Sequence, residues 1–143
     1  MADIRKLTDQ LSVAPQLVAE DLHEVKTQGF QSVLCNRPDY EEDAQPTYNE
    51  VQSAIEAQGL ASQFQPVNGS MISDQDVEDF ASQLENLSGP VLAYCRSGTR
   101  CTVLWALSEA GKRPIDEILA IAAGAGYSLE ALRPRLEDRA SNA

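Results

Sequence analysis

Apolar residues in this chain fall into short runs of four or five, separated by stretches with helical spacing. Ile4, Leu7, Leu11 and Val13 predict one or two short strands with a turn near Thr8-Asp9-Gln10, and Pro15 ends them. Residues 17–28 carry Leu17, Leu22 and Val25 on one stripe, with acids near the start and Gly29 as the C-terminal cap, which predicts a helix. Residues 30–35 read as an apolar strand. Residues 47–58 read as a second helix through Tyr48, Val51, Ala54 and Ile55, closed by Gly59. A short strand is expected over 63–67, where Pro66 argues for an edge or terminal position. Asn68-Gly69-Ser70 is a turn, and Ser73 caps a helix that runs to about residue 87 with Asp76 in its first turn. Residues 91–95 form a strand, and residues 102–110 form a nearly apolar, buried helix around Trp105. A helix over 115–123 with Pro114 at its first position follows, broken by Gly124-Ala125-Gly126. The last helix is expected from the Ser128 cap to about residue 138, shortened or kinked at Pro134, with a frayed tail over 139–143.

Strands that alternate with helices imply an α/β fold with a mainly parallel central sheet flanked by helices. The 143 residues suit one domain, 1–143, with no repeat or linker. Acids outnumber bases, 22 to 11, and the net charge of −11 argues against a nucleic-acid partner. Three cysteines, Cys35, Cys95 and Cys101, give neither a zinc spacing nor a disulfide framework, so a reducing cytoplasm is the expected location. The first residues lack the apolar core of a signal peptide, and no stretch is long enough to span a membrane. No cofactor and no metal are expected. His23, the only histidine, sits among charged neighbours and is read as a surface residue.

The candidate chemistry lies between the strand at 91–95 and the buried helix. An apolar run stops at Cys95, a polar loop of Arg96, Ser97, Gly98 and Thr99 follows, and Arg100 closes it. Strand, tight turn and helix aim backbone N–H groups at one point before a helix N-terminus, which binds anions and favours a thiolate. Gly98 supplies the turn's freedom, and Arg100 presents a planar fork to an oxyanion. Cys95 is therefore read as a nucleophile in an anion-binding loop, positive on a negative body. Arg37, at the end of another strand, is placed to border the loop.

A thiolate in such a nest serves sulfur transfer through a persulfide or phosphate ester hydrolysis through a phosphocysteine. Protein tyrosine and dual-specificity phosphatases resemble this stretch but place five residues between cysteine and arginine, whereas four stand here. A phosphatase also needs an acid for the leaving oxygen. The resemblance to dual-specificity phosphatases implies that acid after the strand preceding the loop-bearing one; the matching residues 66–71 hold none, which leaves Asp39, Asp74 and Asp76 as candidates. Cys-Arg-Ser-Gly-Thr-Arg looks like the active loop of rhodaneses, and that resemblance implies a persulfide on Cys95 stabilised by the backbone of 96–100.

Leu11-Ser12-Val13-Ala14, Asn36-Arg37-Pro38-Asp39, Gln45-Pro46, Pro66-Val67, the loop itself and Ala125-Gly126-Tyr127 extend the resemblance over nearly the whole chain. Together they resemble the phosphatase-like domain family of beta-lactamase hydrolase-like proteins, also called a sulfur transferase family. The resemblance implies a dual-specificity-phosphatase-like fold with a rhodanese-like loop. Some members are fused to a persulfide dioxygenase, so a separate dioxygenase is an expected partner, beside a small-molecule sulfur donor or oxyanion. Cys101 follows the arginine, where the family carries a small residue, and it is read either as a resolving thiol or as a residue packed on the helix. The principal expectation is a sulfurtransferase moving sulfane sulfur through Cys95. The alternative is a cysteine-dependent phosphatase, and the third reading is a binding or thiol redox module.

Overall fold

Three short runs of apolar sequence make the centre of the molecule, which a computed structural model describes over residues 2–143. Strands β2 (Leu11–Ala14), β3 (Ser32–Cys35) and β5 (Val91–Tyr94) are buried along their whole length, so both of their faces are covered. β4 (Ala61–Phe64) is half-exposed at one edge, and β1 (Arg5–Lys6) forms the other. The order is β1-β2-β5-β3-β4; β1 runs antiparallel to β2 and every other pair is parallel. This is the expected α/β sheet.

Alternation along the strands divides the core in two. Leu11, Val13, Leu34, Val91 and Ala93 face one layer, built from α3 (Asp74–Asn86), α4 (Thr99–Glu109), α5 (Ile115–Gly124) and α6 (Arg133–Ser141). Ala14, Val33, Cys35, Leu92 and Tyr94 face the other, under α1 (Leu22–Thr27) and α2 (Tyr48–Ala57). Val13, Ala93 and Leu34 lie side by side in register, as do Ala14, Tyr94 and Cys35. The three central strands thus end together, and the segments that follow them meet at one edge of the sheet.

Four elements depart from the sequence expectation. β4 starts at Ala61 rather than residue 63, because pairing begins as soon as Gly59 and Leu60 close α2; Gln65 and Val67 then donate to Cys35 and Asn36 carbonyls in the loop beyond. The first helix opens with a 3-10 turn, Ala19–Asp21, before α1. α4 starts three residues early, at Thr99, since Gly98 itself is its N-cap. Ser128 is not a cap: a 3-10 turn, Glu130–Leu132, leads into α6, and Pro134 falls in that helix's first turn, where a missing N–H costs nothing. α6 does not fray at 139. Arg139 Nε donates to the Leu107 carbonyl (2.9 Å) and Nη1 to Asp74 (2.9 Å), which ties the helix down as far as Ser141.

Candidate active site

β5 runs out of pairing at Tyr94. The Cys95 N–H still donates to the Ala14 carbonyl (3.3 Å), and the Arg96 carbonyl accepts from Gln16 N–H (3.2 Å). The start of the loop is therefore fastened to the segment after β2. Gly98 turns the chain into α4 at φ +90°, in the left-handed region that favours glycine. A Cβ at this position meets the Tyr127 hydroxyl. That hydroxyl donates to the Ser97 carbonyl (3.0 Å), and Thr102 Oγ1 donates to the Gly98 carbonyl (2.8 Å). With those carbonyls held elsewhere, the amides of Ser97, Gly98 and Cys101 turn to Cys95, while Thr99 N–H donates to Ser97 Oγ (3.4 Å). Gly98 N–H points at Cys95 Sγ (3.1 Å).

These donors set the charge on Cys95. A hydrogen bond from the Cys101 thiol is the largest influence. Burial opposes it, and the N–H groups of Cys101, Gly98 and Ser97 add to it, so the pKa of Cys95 falls from an ordinary 9.0 to about 6. Cys101 is pushed the other way by its complete burial and by the neighbouring thiolate, so it keeps its proton and remains the donor. At neutral pH the site holds one thiolate and one thiol. The three cysteines are unpaired.

Arg100 lies in the first turn of α4, and its guanidinium is nearly buried, with 12% of the side chain exposed. Nη1 donates to the Val67 carbonyl (3.1 Å) and to Glu41 Oε2 (3.1 Å), and Nη2 donates to Glu41 Oε1 (3.3 Å). Nε is buried without a partner. Gly69 closes over this group so tightly that a Cβ there stands 2.9 Å from Arg100 Nε. Cys95, Arg100, Arg96, Ser97 and Thr99 open onto one pocket of about 440 Å³, walled by Glu41, Asn68, Gly69, Ser70, Ile72 and Val103. A larger pocket, about 540 Å³, lies around Trp105 and the start of β2 and β5, at the opposite edge of the sheet. The chemistry places the site in the smaller pocket. Among the described residues no group of His, Cys, Asp or Glu is arranged to hold a metal.

The family model for the phosphatase-like domain of beta-lactamase hydrolase-like proteins matches residues 3–112. The chain belongs to this family. Curated beta-lactamase hydrolase-like proteins from Agrobacterium fabrum and Xylella fastidiosa are 36% and 34% identical to it, over 73% and 86% of this chain. The aligned parts amount to only 24% and 29% of those proteins, so the chain spans about a quarter of the length of these relatives. The crystal structure of a candidate phosphatase from Neisseria meningitidis superposes with a TM-score of 0.89 at 39% identity, covering 96% of this chain and 98% of that one. The core catalytic domain of the PP-IP phosphatase SIW14 from S. cerevisiae shares the fold, with a TM-score of 0.67 at 15% identity, covering 98% and 91%. The phosphatase-like fold expected from the sequence is thereby shown. The likeness to SIW14 is one of fold, and the description of the Neisseria meningitidis protein as a phosphatase is that protein's own. No helix among the described residues is long and apolar enough to cross a membrane.

The loop residues Arg96, Ser97, Gly98 and Thr99 lie beside Cys95, while Arg96 and Arg37 have carboxylate partners. Arg96 is exposed and pairs with Glu42 (2.9 Å). Arg37 does not border the pocket. It is buried behind it, donating to Glu41 (3.0 Å), Gln16 (3.0 Å) and Glu42 (2.8 Å). The expected acids are all engaged. Asp39 accepts from Tyr48 N–H (2.8 Å) at the start of α2, Asp76 from Ser73 N–H (2.9 Å) in a capping box, and Asp74 from Arg135 and Arg139. Cys101 is packed on α4, as one of its two readings had it, and also donates to Cys95. Sequence reasoning assigned no role to Glu41, Gly69 or Tyr127. The Asn68-Gly69-Ser70 turn signalled the glycine, and Ala125-Gly126-Tyr127 the tyrosine. Nothing in the acidic run 41–43 distinguished Glu41.

Proposed function

We propose that this chain is a cysteine-dependent hydrolase of phosphate monoesters, with Cys95 as the nucleophile. One observation carries the reading: the Cys95 thiolate, three inward N–H groups and the Arg100 fork open onto the same pocket. An anionic phosphoryl group fits that charge, and its equatorial oxygens gain most from the amides and the guanidinium as charge develops. Similarity to the Neisseria meningitidis protein supports the same class. Cys95 Sγ attacks phosphorus and the ester oxygen departs. Water then attacks the phosphocysteine, returning the thiolate and releasing phosphate.

Sulfur transfer is the second reading, supported by the four-residue spacing from Cys95 to Arg100, which makes a smaller loop than the five-residue spacing of tyrosine phosphatases. One preparation decides between them. Aryl phosphate hydrolysis that vanadate inhibits and Cys95→Ser abolishes is the expected result. Absence of phosphate release, together with a sulfur adduct on Cys95 after thiosulfate, overturns it.

A further inference from the structure

A phosphomonoesterase needs a proton for its departing oxygen, and Asp39, Asp74 and Asp76 are each committed to a helix start or an ion pair. One carboxylate lines the pocket with Cys95 and Arg100, and it is Glu41. We propose that Glu41 donates the proton to the leaving oxygen and then takes one from the attacking water, once substrate has displaced it from Arg100. This rests on the hydrolase reading above.

The backbone aims Glu41 at the pocket. Tyr40, which is 84% exposed, adopts a left-handed φ of +64° immediately before it. A non-glycine residue in that region is held there by its surroundings. Here Glu41 N–H donates to Gln45 Oε1 (3.0 Å), and Gln45 Nε2 donates to the Pro38 carbonyl (2.8 Å). The loop closes on itself and turns the carboxylate inward.

The two carboxylate oxygens are held differently. Oε1 accepts from Arg37 Nε (3.0 Å) and Arg100 Nη2 (3.3 Å), while Oε2 accepts from Arg100 Nη1 alone (3.1 Å). Arg37 is buried and stays in place when substrate enters. A phosphoryl group takes the Arg100 fork, so Oε2 loses its partner while Oε1 keeps one. The displaced oxygen is then free to carry a proton.

Substrate also makes that proton stay. In the empty site burial disfavours the charge on Glu41, but Arg100 and Arg37 outweigh it and hold the carboxyl below its ordinary range. The charged groups around it are Arg37 on its own loop, Arg100 from α4, Glu42 through Arg37, Arg96 through Glu42, and the Cys95 thiolate across the pocket. Binding a phosphate dianion withdraws one cation and adds negative charge nearby, and both changes favour the neutral acid.

The step balances. The S–P bond forms as the P–O ester bond breaks, and the Glu41 proton passes to the departing oxygen, leaving an alcohol and a carboxylate. Water then adds its oxygen to phosphorus and its proton to Glu41. The S–P bond breaks, and hydrogen phosphate leaves beside a restored thiolate.

The test compares wild type, Glu41→Gln and Glu41→Asp on nitrophenyl phosphate, whose leaving group needs no proton, and on phenyl phosphate, whose leaving group does. Glu41→Gln is expected to lower kcat on phenyl phosphate by about a hundredfold, the lower end for general acid catalysis, with a far smaller loss on nitrophenyl phosphate. The falling alkaline limb of its kcat profile should vanish, while Glu41→Asp retains one. Vanadate should bind Glu41→Gln at least as tightly as wild type, because the Arg100 fork is free. Equal losses on both esters, a gain on both, or no change overturns the role of Glu41 while leaving hydrolysis intact. If Glu41→Gln does not fold, an alkaline limb absent from Glu41→Asp overturns it too. A wild type that releases phosphate from neither ester overturns the hydrolase reading, and the proton donor with it.

Discussion

The Tyr127 hydroxyl and Gly98 occupy one space: the hydroxyl donates to the Ser97 carbonyl at 3.0 Å and stands where a Gly98 Cβ would be. α5 and the turn after it thereby set how the nucleophile loop enters α4. Gly98→Ala meets two costs, about 1–2 kcal/mol for a side chain at left-handed φ and the collision with Tyr127. Tyr127→Phe alone loses one hydrogen bond, about 1 kcal/mol. The pair should be less destabilised than the sum of the two, because phenylalanine lacks the colliding oxygen. Urea unfolding of the four proteins measures this, and strict additivity would show that the two residues do not share the space.

Cys101 makes the largest single contribution to the thiolate on Cys95. In the wild type, alkylation of Cys95 by iodoacetamide should reach half its maximal rate near pH 6, rising with pH as the thiol ionises. Cys101→Ala removes the thiol donor and should move the midpoint up toward the ordinary 9.0. Cys101→Ser keeps an O–H donor and should leave the midpoint low. Mass mapping of the alkylated residue separates Cys95 from Cys35, whose thiol is buried and pushed up to about 11.

The apolar runs at 11–14, 32–35 and 91–94 were legible because buried parallel strands need continuous apolar sequence, and short ones leave little room for another reading. Cys95 and Arg100 were legible because the motif sits between a strand and a helix, which is the context that gives it meaning. Arg37 was placed at the correct loop but given the wrong task, since a strand-end position does not say which way a long side chain turns. Glu41 was lost for a related reason. A run of acids looks the same whether it faces water or two arginines, and neither the left-handed turn at Tyr40 nor the Gln45 bonds that close the loop can be read from it. The start of α4 was misjudged because Thr99 and Arg100 are polar, while the helix is fixed by the Gly98 turn rather than by apolar spacing.

Lowering a thiol's pKa on folding couples stability to pH. Cys95 has a folded value near 6 against an unfolded value near the ordinary 9.0. Its contribution is fully present above about 9 and is lost as pH falls to about 6. Cys101, raised by folding, works oppositely and takes stability away above 9. Wild type minus Cys95→Ser should therefore show unfolding free energy rising with pH between about 6 and about 9. Denaturant midpoints across that window measure the slope. A flat difference would mean that Cys95 is a thiol in the folded protein.

Asp39 and Asp76 look like catalytic acids in the sequence and behave as helix-start residues in the structure. Asp39 reaches from its loop to the first N–H of α2 at 2.8 Å, and Asp76 pairs with Ser73 at the start of α3. Each carboxylate is thereby spent on a backbone N–H at the start of a helix. Asp39→Ala and Asp76→Ala should each cost about 1 kcal/mol of stability, the usual net value of one lost hydrogen bond. Neither should change the leaving-group dependence of aryl phosphate hydrolysis, measured below the unfolding temperature. A proton donor at either position would instead slow phenyl phosphate far more than nitrophenyl phosphate. Asn at the same positions keeps an acceptor for the backbone N–H, so stability should return while the capacity to donate a carboxyl proton stays lost. Restored stability with full turnover would confirm that these two aspartates hold helices and leave the chemistry to the pocket.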